Sequence, residues 1–412
     1  MKNKLNIAYI FESMPEDGGN FQTELSNAIR LREIKDEKIN IEFFSTNKKN
    51  IEILNFYNFN PILIKKTKVS FLILIIYKFL ISSKVRHIFN LLFGITNLEK
   101  KLLESKIDIV HFNGMSALAM QLDKINFGVS FWDSGHLQFP QFPESRKNYY
   151  SFESREYLYN LLLKKSSYVI TDSFENKNNL LKQYSVDEKK ISLIYSTPAT
   201  DLLNIDEEKA LTKKDILDKF NIKNTEYIFY PAQFWPHKNH IYILEALSIL
   251  KKRYGKNISV IFTGKNKFNN LNYIKQVTKE LNLQDSVTFK NFVESNDLFY
   301  LYKYALAITV PTYLGPTNHL PLEGFYIGTP VLYSDIWSET EQVKGAVLSF
   351  DLKDANSLSQ RIIDLLDKKS LRDTMINKGK EKYNELSQKI DKNQKILKEI
   401  FNSFLTINKN WK

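Results

Sequence analysis

Two charged residues, Lys238 and Glu323, sit where charge suggests chemistry and not solvation. Lys238 lies in Gln233-Phe-Trp-Pro-His-Lys-Asn-His240, between the apolar run 227–232 and an amphipathic helix. Glu323 follows Gly315-Pro-Thr-Asn-His-Leu-Pro-Leu322, a loop that leaves the apolar run 306–310 and turns into a short helix closed by Gly328-Thr-Pro330. A lysine at a loop–helix junction suits an anion, and so do helix-terminal amides at 316–321. A glutamate on an apolar helix is costly to bury alone, so Glu323 needs either ligand hydroxyls or a salt bridge.

Three other places carry reactive or permissive residues. After the run 127–131 comes Trp132-Asp133-Ser-Gly-His136, continuing through aromatic and proline residues to Glu144. A polar, proline-stiffened loop after a strand suits substrate binding. His136 is there either to engage a ligand hydroxyl or as a satisfied structural histidine. Gly18 and Gly19 follow the run 5–11 and allow either close approach to a ligand or a plain tight turn. Arg155 either holds a phosphate or acceptor, or pairs with Glu156 or Glu144.

The elements that must position these residues alternate regularly. Apolar runs at 5–11, 39–44, 61–64, 107–112, 127–131, 168–171 and 191–195 read as strands. Helical stretches such as 20–32, 152–165 and 175–184 lie between them, and Ser173 suits an N-cap. A second set begins at 227–232 and continues through 258–264, 287–289, 306–310, 331–333 and 346–350, with helices at 273–281 and 298–304. Near-continuous apolar runs followed by helices predict an α/β chain with doubly wound parallel sheets. The segment 196–224, charged and without a strand, reads as the inter-domain connection, and 356–408 reads as helical.

At 412 residues, two domains are the default. The expected boundaries are 1–198, 199–385 and a C-terminal helix over 386–412 that packs back on the first domain. The chain has no cysteine, which excludes disulfides and thiolate metal sites. The first residues lack a signal-peptide core, so a cytoplasmic location is expected. The net charge of +12 reads either as an anionic partner or as a lysine-rich solvated surface. No basic block interleaved with stacking aromatics appears, so nucleic acid is not expected as a partner. The stretch 69–81 is the most apolar, but Lys78 interrupts it and it is too short to span a bilayer. With Leu91, Leu92 and Phe93 after it, the 65–93 segment is either an interfacial helix on anionic lipid or a buried helix.

Taken together, these motifs resemble the retaining glycosyltransferases of family 4. The resemblance rests on Tyr230-Pro-Ala-Gln-Phe-Trp-Pro-His-Lys-Asn239 with Leu244-Glu-Ala-Leu247, on Pro311-Thr312 through Glu323 with Gly328-Thr-Pro-Val331, and on Glu341-Gln-Val with Phe350-Asp351. In the first half it adds Asp17-Gly-Gly19, Trp132-Asp133, His136, Phe142-Pro-Glu144 and Phe152-Glu-Ser-Arg-Glu156. It implies two Rossmann-like domains facing across a cleft (GT-B), transfer of a hexose from a nucleotide sugar with retention, and no metal or other cofactor. A subset with Gly-Pro-Thr-Asn in the donor loop is the best match.

Carried over residue by residue, the resemblance places Lys238 on the diphosphate and Glu323 on the ribose. Gly18 and Gly19 would approach the diphosphate from the first domain. Trp132, Asp133, His136 and Arg155 fall on the acceptor side, with Asp133 and His136 also at the reacting sugar. Two family positions differ. Gln233 replaces the usual basic residue before the lysine, and Gly315 replaces the glutamate that usually contacts the hexose. The hexose contact then passes to Pro316, Thr317, Asn318, His319 and Leu320, through main-chain amides or the side chains of Asn318 and His319. The implied partners are a nucleotide-sugar donor and a surface-polysaccharide or lipid-linked glycan acceptor, with peripheral contact at the cytoplasmic face of the inner membrane. A non-catalytic glycan- or nucleotide-binding protein and a nucleotide-sugar epimerase of the same fold are the alternatives.

Overall fold

The computed structural model describes residues 4–64, 97–146, 152–205 and 210–410. The 65–93 segment weighed for membrane contact lies outside them. Among the described residues, no helix is long and apolar enough to cross a membrane. The chain forms two compact units: 1–132 with 149–195 and 391–412, and 133–148 with 196–390.

The first unit holds strands β1 (Leu5–Phe11), β2 (Ile39–Ser45), β3 (Ile62–Leu63), β4 (Ile109–Phe112), β5 (Asn126–Phe131), β6 (Tyr168–Thr171) and β7 (Ile191–Leu193). They form one parallel sheet in the order β3-β2-β1-β4-β5-β6-β7. Ile7 sits between Ile41 and Ile109, and β1 is buried along nearly its whole length, which is why it reads as a near-continuous apolar run, whereas β2 alternates through Asn40 and Glu42. The helix Asn393–Asn408 completes this core. Leu397, Phe401 and Leu405 recur every four residues and form one buried stripe, with the Phe401 ring edge-on to Tyr168. At its start, fully buried Asn393 accepts from the Tyr195 amide at 3.0 Å and donates to the Tyr195 carbonyl at 2.8 Å.

The second unit holds β8 (Tyr227–Tyr230), β9 (Ser259–Thr263), β10 (Val287–Lys290), β11 (Ala307–Val310), β12 (Val331–Ser334) and β13 (Leu348–Phe350), again all parallel, in the order β10-β9-β8-β11-β12-β13. In both sheets the first strand is central. The chain winds outward on one side and then crosses back to the other. The loops after β8 and β11 therefore diverge, and a doubly wound sheet opens a crevice at that reversal.

Two expectations are corrected. The stretch 196–224, expected as a strandless connection, also carries a helix. The unit boundary falls between Tyr195 and Ser196, and a helix spans Lys213–Phe220, capped reciprocally by Thr212 and Asp215. Its buried Ile216 and Phe220 belong to the core, as do Ala199 and Leu202. Charged neighbours on the outer face hid this i, i+4 pair. The second correction concerns 133–148, which was expected in the first domain. It packs with the second unit because its aromatic and acidic side chains find their partners there.

Candidate functional site

Lys238 ends a tight turn, Pro236–Lys238, just beyond β8. Asn239 then takes a left-handed conformation (φ 56°) that redirects the chain into the helix His240–Tyr254. Asparagine tolerates that region better than most residues. The buried Tyr230 hydroxyl donates to the Lys238 carbonyl at 2.9 Å, fixing the turn against the strand end. Burial pushes the Lys238 ammonium down to about 8, with Asp133 opposing the shift. Its Nζ donates to Oδ1 of Asn318 at 3.2 Å. The loops after β8 and β11 are thereby joined at the sheet reversal.

Asn318 is the hub of the loop after β11. Its Nδ2 donates to the Gly315 carbonyl at 3.1 Å and to the Tyr333 hydroxyl at 2.8 Å, and its amide donates to Oε1 of Gln342 at 2.9 Å. The Asn318 side chain, expected as a hexose contact, thus has protein partners on both polar ends. Gly315 has φ 89°, a left-handed backbone that a glutamate enters only with strain. Its lack of a carboxylate is therefore matched by a main-chain path built for glycine. Of the amides at 316–321, Pro316 and Pro321 have none and that of Asn318 is spent on Gln342. The other main-chain amides of that stretch belong to Thr317, His319 and Leu320.

Glu323 is buried on the helix His319–Ile327. Neither a salt bridge nor an isolated charge describes it. One carboxylate oxygen accepts from the Tyr302 hydroxyl, the other from the Ala199 amide at 3.4 Å. A ribose would draw on the lone pairs that remain. The Tyr302 hydroxyl is held well above its ordinary pKa by burial and then by the Glu323 charge, so it stays a donor. His319 Nδ1 lies 3.0 Å from the Thr197 carbonyl. Glu323 and His319 thus grip the first residues of the second unit after the chain enters it at Ser196.

The 133–148 segment packs beside these loops. Phe139 and Phe142 contact the Tyr313 ring at 5.7 and 5.4 Å between centroids. Asp133 caps the Gly135 amide at 2.8 Å. His136, expected to meet a sugar or acceptor hydroxyl, is 0% exposed in the short helix Gly135–Gln138, and burial favours its structural role. Glu144 accepts from both the ring and the amide of His237. Gln233 Oε1 accepts from the Trp235 indole at 3.0 Å.

Trp132, Arg155, Gly18 and Gly19 lie in the first unit. The Trp132 indole N–H is spent on the Asn113 carbonyl at 2.5 Å. Arg155 is half-buried on the helix Phe152–Lys165. Its two expected ion-pair partners are engaged elsewhere, Glu156 by the Tyr184 hydroxyl and Glu144 by His237. Gly18 has φ 62° and ψ −122°, a backbone open to glycine, and begins the helix Gly19–Arg32.

Several supporting residues escaped the sequence reading. Tyr230, Tyr302 and Tyr333 are fully buried, and their hydroxyls bond Lys238, Glu323 and Asn318 respectively. A tyrosine in an otherwise apolar run was the available signal, since a buried hydroxyl must find a partner. Glu144 and Gln342 stood within quoted motifs, but their partners His237 and Asn318 were not foreseen.

Comparison with known proteins bears on this unit directly. Residues 212–382 match the family model for glycosyl transferases group 1. The O-antigen chain mannosyltransferase RfbU of Salmonella typhimurium is 28% identical over 47% of this chain and 49% of its own length. An N-acetylgalactosaminyltransferase of Campylobacter jejuni, named for a diphospho-undecaprenol-linked acceptor, is 25% identical over 57% of this chain and 60% of its own. The chain thus spans about half the length of the curated relatives it matches. Among solved structures, Anabaena HepE in complex with UDP and glucose aligns with a TM-score of 0.68 at 13% identity, covering 99% of this chain and 100% of that one. That likeness shows the fold: two parallel-sheet Rossmann-like units as in GT-B glycosyltransferases.

Proposed function

We propose that the protein is a retaining, metal-independent hexosyltransferase of the family 4 type. It would move a hexose from a nucleotide sugar to a surface-polysaccharide or lipid-linked glycan. The carrying observation is the Lys238–Asn318 pair at the reversal of the second sheet, within the segment that matches the group 1 model. In this reading the Lys238 ammonium lies against the donor diphosphate and offsets the charge that develops as it leaves. The bond from the anomeric carbon to the phosphate oxygen breaks, and a bond to the acceptor oxygen forms on the same face. The acceptor proton passes to the departing phosphate, so no carboxylate nucleophile is needed. Glu323 orients the ribose, and the Leu320 amide in the first turn of the same helix supplies a further donor.

The named substrates of the Salmonella and Campylobacter relatives support a cell-surface or polyprenol-linked glycan as acceptor, and the net charge of +12 suits work at an anionic membrane face. The test is incubation with a panel of nucleotide sugars and lipid-linked glycans, with and without EDTA, followed by nucleotide release and product anomeric configuration. One donor should yield nucleotide and a product of unchanged configuration, undiminished by EDTA. Inverted product, or strict dependence on added divalent metal, overturns the corresponding part of the reading. Absence of binding to anionic liposomes would remove the membrane part.

A further inference from the structure

One buried carboxylate takes no part in the chemistry above. Glu144 is 6% exposed in the short helix Pro143–Arg146. Its Oε1 accepts from Nδ1 of His237 at 2.5 Å and from the His237 amide at 3.2 Å. The His237 carbonyl in turn accepts the Tyr313 amide at 3.0 Å. The imidazole lies nearly parallel to the Trp235 ring (27°) and edge-on to Phe142 (78°). Each of these contacts bears on the Pro236–Lys238 turn, whose last residue carries the ammonium.

We propose that Glu144 is a positioning residue for Lys238: it locks the 236–238 turn through the main chain of His237 and holds the imidazole as its Nδ1–H tautomer. A ring whose single hydrogen is on Nδ1 is neutral and can lie next to a cation. The charged groups facing the imidazole are Glu144, Lys238 and Asp133. Burial first and Lys238 next favour the neutral ring, while Glu144 and Asp133 pull the other way, and the net shift is downward. Burial alone would raise the Glu144 carboxyl, but the His237 donors more than offset this and hold it below the ordinary range. Near neutrality the pair is therefore an anionic acceptor and a neutral ring, which suits a fixed Nδ1–H···O bond. A protonated His237 would set two cations side by side in the turn.

The kinetic part of this proposal rests on the nucleotide-sugar reading, whereas its structural part does not. The experiment uses the full chain labelled with 15N at histidine and lysine, assigned by H237Q and K238R. Wild type should show His237 as the Nδ1–H tautomer and Lys238 titrating near pH 8. E144A should release the ring to the Nε2–H tautomer and shift the Lys238 side-chain nitrogen resonance as the turn loosens. E144Q, whose amide oxygen still accepts both N–H groups, should keep the tautomer. With the donor identified, E144A should lower kcat more than about tenfold with donor KM changed less than about threefold, and E144Q should recover most of the loss. Melting temperatures separate this from general destabilisation. An unchanged tautomer and Lys238 resonance in a folded E144A protein, or equal impairment of E144A and E144Q, would overturn the proposal. If no nucleotide sugar is turned over, the functional reading fails while the spectra still decide the role of Glu144.

Discussion

The Lys238 ammonium donates to Oδ1 of Asn318 at 3.2 Å, so one side-chain pair ties the loop after β8 to the loop after β11. Asn318 also holds the Gly315 carbonyl and the Tyr333 hydroxyl. N318A removes these bonds and releases the ammonium. Turnover is expected to fall by about 10²-fold, as misplacement of a charge-stabilising group does. N318D sets a carboxylate against the ammonium and against an incoming diphosphate, so donor KM should rise more than kcat falls. Steady-state kinetics check both, and near wild-type values for N318A would remove Asn318 from the site.

Protonation of Lys238 should set the alkaline limb of activity. Its pKa lies near 8, lowered from 10.5 by burial, and the charged form is the one that stabilises a leaving diphosphate. The protonated fraction falls as pH rises through that value. The kcat/KM for donor should therefore decline above pH 8 and approach a tenfold loss per unit. A bound diphosphate favours the ammonium, so the limb in kcat should lie higher. K238R stays charged across this range and should lose the limb, whatever its absolute rate. A limb at pH 8 that persists in K238R would belong to another group.

Glu323 has a structural duty that the sequence did not suggest. E323A strands the fully buried Tyr302 hydroxyl and the Ala199 amide, at a cost of about 1–3 kcal/mol for each buried group left unsatisfied. E323A is therefore expected to lower both the melting temperature and turnover. Y302F separates the two effects, because it removes the structural donor and leaves the carboxylate for ribose. If Y302F retains nucleotide affinity while E323Q loses it, the ribose role stands. Equal affinity in both would confine Glu323 to the helix packing.

Placing at Gly315 the glutamate that family 4 glycosyltransferases usually carry there should not create a hexose contact. With φ 89°, a side chain there costs about 1–3 kcal/mol in backbone strain. A Cβ would also sit 3.3 Å from the Thr317 carbonyl oxygen. G315E and G315A should both destabilise the loop and raise donor KM, with G315E gaining no activity. Higher kcat/KM in G315E would show that the loop can take the more usual path.

Phe401 tests the closing helix of the first unit. F401A removes a fully buried ring packed on Tyr168, and should cost about 3–5 kcal/mol. Denaturant unfolding of the wild type and F401A side by side gives the figure. A cost below 1 kcal/mol would mean that the stripe Leu397, Phe401 and Leu405 is not part of that core.

The sheets were legible because parallel strands are buried on both faces, so 5–11 and 227–230 announce themselves as unbroken apolar runs. Lys238 was legible from its place between such a run and a helix. The grouping of 133–148 was not, since its meaning lies in partners such as His237, 93 residues from Glu144 along the chain. The Lys213–Phe220 helix was missed because two buried residues among five charged ones make a weak stripe. Asn318 was read as a ligand contact. Its amide group also ties the loop together, a duty set by where Tyr333 and Gly315 fall and not by the type of residue 318.

The helix Asn393–Asn408 also constrains how the protein is made. The first unit's core contains Leu397, Phe401 and Leu405, which are synthesised only after every strand of both sheets. The amino-terminal sheet must therefore wait on the ribosome with an apolar face uncovered, while the second unit gains all of its own segments first. Vectorial synthesis thus reverses the usual order in which the domain made first folds first.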